Sequence, residues 1–320
     1  MSRVFIYVCL LLSLPCWSQK GETANPTLES LTNFTNIRDF TVSTSGLEGY
    51  CTIQSPLGEL SYIVRVQKTD ASGWSNPQLV RFSGQFMDLE PFLSGDGLKL
   101  YFASNRPLDS IKSKSKDFDI WYVQRDDLAS SWSDPINLGT PVNTKADEFY
   151  PSIVANGSLY FTSTRTGTKG KDDIFYSQLQ EGEFKTPISL ETINTEGYEF
   201  NAYVSPKEDF MIFTAYQRKD GMGSGDLYIS YRDKNKKWGT SINLGNEINS
   251  KAMDYCPFYD FRTHTLYLTS RRSVIENDKK YKSLEAIEKA INAYSNGYSR
   301  VYDINFDPEN YINRKQKDSL

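Results

Sequence analysis

Residues 88–106 read DLEPFLSGDGLKLYFASNR, and the arrangement returns at 148–165 as EFYPSIVANGSLYFTSTR and at 254–272 as DYCPFYDFRTHTLYLTSRR. In each, two short runs with period-2 alternation flank a small turn, the pattern of an antiparallel strand pair. A weaker copy, EFNAYVSPKEDFMIFTAYQR, fills 199–218, and a degenerate one, IRDFTVSTSGLEGYCTIQS, fills 37–55. The equivalent positions Phe40, Pro91, Pro151, Ala202 and Pro257 are spaced 51, 60, 51 and 55 residues apart.

Each copy continues in the same way. A third run follows at 119–123 (DIWYV), 173–177 (DIFYS), 226–230 (DLYIS) and 301–306 (VYDINF). A turn with Trp or Phe and a fourth short run come next: GWSNPQLV at 73–80, SWSDPINLG at 131–139, EFKTPISLE at 183–191 and KWGTSINLG at 237–245. Four short β-type runs per repeat of this length are the signature of a propeller blade, and the period of 2 excludes helical solenoids. The composition agrees, with 14% aromatic residues and 20 Gly and 13 Pro to supply turns.

The core P-x-[LIV]-S-x-D-G-x-x-L-Y-F-x-S-x-R, followed by D-[IL]-[YFW], resembles the TolB-like, WD-related β-propeller repeat. It is most similar to the version found in exported envelope proteins of Gram-negative bacteria, sometimes fused to peptidoglycan-binding OmpA-like domains. The resemblance covers about residues 25–307, and Phe40, Ala202 and Ser55 depart from the pattern. It implies an exported, periplasmic or secreted, non-catalytic binding or scaffold module.

The fifth copy lacks a fourth run and ends in a polar tail, residues 308–320, whereas NPTLESL at 25–31 is spare at the other end. Pairing the two ends removes an open sheet edge. The expected fold is therefore all-β: a five-bladed β-propeller of four-stranded antiparallel blades at about 37–87, 88–147, 148–198, 199–253 and 254–307, closed by a strand at 26–31. An insertion at 273–299 carries Leu284, Ile287, Ile291 and Tyr294 at helical spacing. Ser283 is its candidate N-cap and Gly297 its stop, and the apolar stripe is expected to pack on the propeller.

Arg3 and the apolar run 4–14 (VFIYVCLLLSL) form a secretory signal, expected to be cut after Ser18; lipidation of Cys16 is a lesser alternative. Cys51 and Cys256 then remain, read as two buried free thiols. A net charge of −4, from 36 basic against 40 acidic residues, excludes a general nucleic-acid binder. A single histidine, His264, excludes multi-histidine metal sites, and it falls in the turn at the far end of the last blade.

Strand parity points to the central channel. One residue before the Pro column stand Asp39, Glu90, Tyr150, Asn201 and Cys256, and one residue after it Thr41, Phe92, Ser152, Tyr203 and Phe258. Three residues before it stand Ile37, Asp88, Glu148, Glu199 and Asp254. The candidate ligand-binding mouth is thus Asp39, Glu90, Glu148, Tyr150, Glu199, Asn201, Tyr203 and Asp254. The first column varies in type, so ligand contact explains it better than a shared blade role. The acidic column is expected either to ring the mouth or to pair with Arg106, Arg165 and Arg272.

A second set of pairs, Arg106–Asp119, Arg165–Asp173 and Arg218–Asp226, is expected to anchor the loops between strands two and three. The partner expected at the mouth is an envelope protein, a peptide or a glycan. No cofactor is implied, although a divalent cation could bridge the carboxylates. The alternative function is a glycoside hydrolase using two of these carboxylates.

Overall fold

The computed structural model describes residues 24–69, 73–108, 116–276 and 278–312; the expected signal segment and Cys16 lie outside them. Five four-stranded antiparallel sheets form the ring. Blade 1 is Asn36–Val42, Glu48–Gln54, Ser61–Gln67 and Gln78–Leu79; blade 2 is Asp88–Leu93, Lys99–Ser104, Asp119–Gln124 and Ile136–Asn137. Blade 3 is Glu148–Ile153, Leu159–Ser163, Asp173–Ser177 and Ile188–Ser189; blade 4 is Tyr198–Val204, Phe210–Tyr216, Asp226–Tyr231 and Ile242–Asn243. In blade 5, Asp254–Asp260, Thr265–Ser270 and Arg300–Asn305 are completed by Asn25–Pro26, which pairs with Asp303 and Tyr302. The first strands touch one another round a closed circle and so line the axis.

Closure by the N-terminus is as expected, but its form differs from a strand over 26–31. Only Asn25 and Pro26 pair as a strand, and Glu29–Leu31 turn into a 3-10 helix. Turning there drives Leu28 and Leu31 into the core, where neither is exposed. Burial of two leucines contributes about 3–6 kcal/mol, which a straight edge strand with outward-facing side chains would not supply.

The core lies between blades. The second-strand column Cys51, Phe102, Phe161, Phe213 and Leu268 is at most 1% exposed. Cys51 is a free thiol there, and Cys256 is free and buried at the axis. The turns joining the first two strands place Gly46, Gly97 and Gly157 at φ of 74°, 72° and 83°. Glu208 takes the same left-handed turn position in blade 4, at 59°, and His264, one place later in the turn of blade 5, is left-handed at 51°. His264 is therefore a turn residue, with Nδ1 3.0 Å from the Tyr259 hydroxyl.

The insertion forms a helix, Leu284–Ile291, with Ser283 Oγ accepting the Ala286 N–H at 3.2 Å. It stops at Ile291 rather than at Gly297. Its stripe does not pack as expected: Leu284 and Ile291 are 83% and 55% exposed. Tyr294 alone of the stripe reaches the propeller, donating its hydroxyl to Val301 O at 2.6 Å and accepting the Leu28 N–H at 3.3 Å. Among the described residues no helix is long and apolar enough to cross a membrane.

Candidate functional site

The channel site rests on a backbone irregularity repeated in every blade. In blade 1, Arg38 opposes Thr52 and Thr41 opposes Tyr50, so Asp39 and Phe40 together face Cys51. The same slip occurs in the other four blades. The bulged residue is left-handed each time: Asp39 61°, Glu90 59°, Tyr150 45°, Asn201 52° and Cys256 50°. Such bulges bend a strand and re-aim its side chain. This corrects the reading that no blade role unites that column, because its members share a backbone conformation rather than a side-chain type.

The bulge N–H must find an acceptor off the ladder. A threonine hydroxyl of the neighbouring blade serves in three cases: Thr269 for Asp39, Thr52 for Glu90 and Thr162 for Asn201, each at 3.0–3.1 Å. Blade 2 has Ala103 at that place, and there the Glu90 carboxylate accepts the Tyr150 N–H at 2.8 Å.

Three of the five side chains, Asp39, Glu90 and Cys256, meet at Arg38, a residue that sequence reasoning passed over. Its Nε lies 2.7 Å from Asp39 and its Nη2 2.9 Å from Glu90. Asn201 Nδ2 donates to Glu90 at 3.2 Å, Cys256 Sγ lies 2.7 Å from Asp39, and the Tyr150 hydroxyl donates to Pro257 O at 2.8 Å. The guanidinium also lies over the Tyr255 ring at 5.2 Å. The one available signal was a charge in a column otherwise filled by Leu89, Phe149, Phe200 and Tyr255.

Oxygen and sulfur atoms of Asp39, Glu90 and Cys256 all lie within 4.8 Å of one another, a donor set able to hold a divalent cation. Arg38 already places a positive charge between the carboxylates, so a metal ion would have to displace it. Burial pushes Glu90 up to about 7, against the opposing pull of Arg38, while Asp39 adds to the rise. Burial likewise drives the Cys256 thiol far up, with Asp39 adding to it.

The Glu90 shift gives a measurable sign. Between about pH 4.5 and 7 the folded chain keeps a proton that the unfolded chain has released. The group's contribution to stability is complete below this window and is lost as pH rises through it. The stability of wild type relative to Glu90→Gln should therefore fall by up to about 3 kcal/mol from pH 4.5 to 8 in urea titrations. A difference independent of pH would mean that this carboxyl holds no extra proton in the fold.

An aromatic floor lies below the cluster. Phe92, Tyr203 and Phe258 pack with ring centroids 5.3–6.5 Å apart, and the Tyr203 hydroxyl donates to Tyr259 O at 3.0 Å. Thr41 and Ser152 fill the remaining two places and accept the Leu93 and Val204 N–H groups. All five are buried. A hollow of about 280 Å³ remains beneath, towards Phe261 and Arg262.

The acidic column stands apart from this cluster. Asp88–Arg106, Glu148–Arg165, Glu199–Arg218 and Asp254–Arg272 pair at 2.5–3.1 Å, with each carboxylate fully buried. Each arginine also donates to a backbone carbonyl (Phe82, Val142, Ile193 and Ile248), tying the blade to the strand-linking segment before it. Glu148, Glu199 and Asp254 thus serve the blades, as the pairing alternative expected.

The second set of pairs is not formed. Asp119 takes Lys116 at 2.6 Å instead, while Asp173 and Asp226 accept N–H groups of their own glycine-rich loops. Those loops therefore wrap a carboxylate of the chain itself.

No family model matches the chain and no curated protein is similar to it. Among solved structures, the chain is similar to the catalytic domain of a GH62 alpha-L-arabinofuranosidase from Coprinopsis cinerea, at 9% identity and a TM-score of 0.51, over 88% of this chain and 95% of that one. It is similar also to a thermostable family-43 glycoside hydrolase, at 14% identity and 0.51, over 79% and 87%. A candidate TolB from Agrobacterium tumefaciens superposes at 12% identity and 0.48, over 77% and 72%. At these identities the likeness is one of fold.

Proposed function

We propose that this chain is a non-catalytic binding or scaffold module of the cell envelope or its exterior, engaging a peptide, a glycan or an envelope protein. The observation that carries this reading is the sharing of Arg38 by Asp39 and Glu90 in a buried cluster. A glycosidase needs its two carboxyl groups about 5–9.5 Å apart, with the sugar bond between them. Here the guanidinium occupies the space between the carboxylates, and the aromatic floor closes the channel below. The fold likeness to glycoside hydrolases supports a common scaffold and no shared reaction.

Incubating the purified chain with aryl arabinofuranosides and xylosides, beside peptide and glycan arrays, tests the proposal. Retention of an array ligand without product release is expected. Hydrolysis that disappears in Asp39→Asn would overturn the reading in favour of a glycosidase.

A further inference from the structure

Four of the five gaps between blades are plugged at their outer, lower ends. Trp74 of blade 1 packs at 5.1 Å on Phe40, which in turn meets Tyr267 of blade 5 at 5.0 Å. Trp132 of blade 2 donates its indole N–H to the Tyr50 hydroxyl of blade 1 at 3.0 Å, and Trp238 of blade 4 meets Tyr160 of blade 3 at 6.1 Å. Each indole lies under a cation at the same repeat position: Lys68 at 4.8 Å, Arg125 at 4.3 Å and Arg232 at 5.5 Å. Blade 5 has no such turn. There Pro308–Tyr311 packs back on blade 4, with the Tyr231 hydroxyl donating to Pro308 O and the Tyr311 hydroxyl to Leu244 O.

The gap between blades 2 and 3 breaks the rule twice. Phe184 stands at the Trp position and Leu179 at the cation position, both on a small hairpin formed by Leu179–Gln180 and Glu183–Phe184. The outcome is a cleft of about 990 Å³, against about 370 Å³ at the equivalent place between blades 1 and 2. Nothing among the described residues fills it.

Its back wall is Tyr101 and Tyr122, with centroids 5.6 Å apart. Tyr101 is the counterpart of Tyr50, whose hydroxyl donates to Glu48 at 2.7 Å. In blade 2 the Glu48 position is Lys99, with Nζ 5.2 Å from the Tyr122 ring, so no carboxylate meets the Tyr101 hydroxyl. That hydroxyl has no protein partner among the described residues, although Tyr101 is only 7% exposed. The nearby carboxylate of Asp96 is held by Ser94 and the Leu98 N–H. The cleft therefore offers an aromatic wall, an unused phenol donor and an ammonium group, with Glu183 also in its lining; what it lacks beside the plugged gap of blade 1 is the indole and a carboxylate at the Glu48 position.

We propose that the cleft between blades 2 and 3 binds a partner polypeptide through an aromatic side chain with a neighbouring carboxylate. It takes from another chain the indole that the plugged gaps receive from their own. This rests on the binding reading above and names one surface for it.

The acetylated, amidated peptide ASSWSDP, which copies residues 129–135 of the blade 2 plug, is a ready probe. Titrated calorimetrically into the full chain, it should bind saturably, and replacing its Trp by Ala should abolish binding. Phe184→Trp should fill the gap from within, weaken the peptide at least tenfold and raise the melting temperature. Lys99→Glu, a surface change, should weaken the peptide about fivefold while leaving the fold intact.

Unchanged affinity in Phe184→Trp, or in Lys99→Glu should the first variant not fold, would overturn the proposal. Free indole-3-acetate binding as tightly as the peptide would overturn the polypeptide occupant. A chain that binds an array ligand but ignores this peptide would sink the cleft and leave the binding reading standing. Glycoside hydrolysis would sink that reading alone.

Discussion

Removal of residues 24–32 should leave a chain that no longer melts as one cooperative unit. The deletion strips the Asn25–Pro26 strand from Arg300–Asn305, the Thr27 N–H bond to Val301 O and two fully buried leucines. About 3–6 kcal/mol of apolar burial goes with the leucines, a large part of the stability of an ordinary domain. The strand left bare is also an unpaired edge, a template for association. Light scattering should show aggregation, or calorimetry a melting temperature lower by more than 10 °C. A monomer with an unaltered melting curve would mean that the N-terminal segment does not close the ring.

Arg38→Met should be nearly as damaging, although it removes one side chain. Asp39 and Glu90 would then face each other, buried and without a counter-charge. Leaving buried charge unpaired costs about 3–5 kcal/mol. The loss should be greater at pH 8 than at pH 5, because Glu90 can take up a proton at the lower pH. Adding Glu90→Gln to Arg38→Met should restore at least half of the loss. Equal denaturation midpoints for wild type and Arg38→Met would show that the pairs with Asp39 and Glu90 contribute nothing.

The same geometry revises what to expect of Glu90 and Tyr150. Were that column given over to ligand contact alone, both could be truncated with the fold intact. In the structure, Glu90 accepts a backbone N–H from blade 3, and Tyr150 reaches across the axis to Pro257 O. Truncating both would remove polar partners at the centre of the ring and should lower stability.

Blade number, strand order and closure were legible in the sequence because each depends on a repeated pattern of residue types with period 2. The left-handed bulges were not. A glycine would have advertised them, but the five positions hold Asp, Glu, Tyr, Asn and Cys, and the conformation is imposed by the ladder rather than by the residue. Parity counting also fails across a bulge, since one extra residue turns every later side chain over.

The asparagines of Val142-Asn143-Thr144, Ile193-Asn194-Thr195 and Ile248-Asn249-Ser250 show the opposite case. They recur visibly, yet only the structure shows each amide pairing with both backbone groups of Ile120, Ile174 or Leu227. The open gap between blades 2 and 3 was present in the aligned turns as Phe184 among tryptophans. It acquires meaning only once the other indoles are seen as plugs.

Asn25 finds its partner at Asp303, so the strand that closes the ring waits for chain far along the sequence. Blades 1 to 4 can each form from contiguous chain as it emerges, but the ring becomes a ring only when blade 5 is complete. The final step of folding is thus a single long-range closure, and its entropic cost grows only logarithmically with the intervening length. Until that step, blades 1 and 5 both present uncovered faces, and a chain halted short of Arg300 has no means of hiding them.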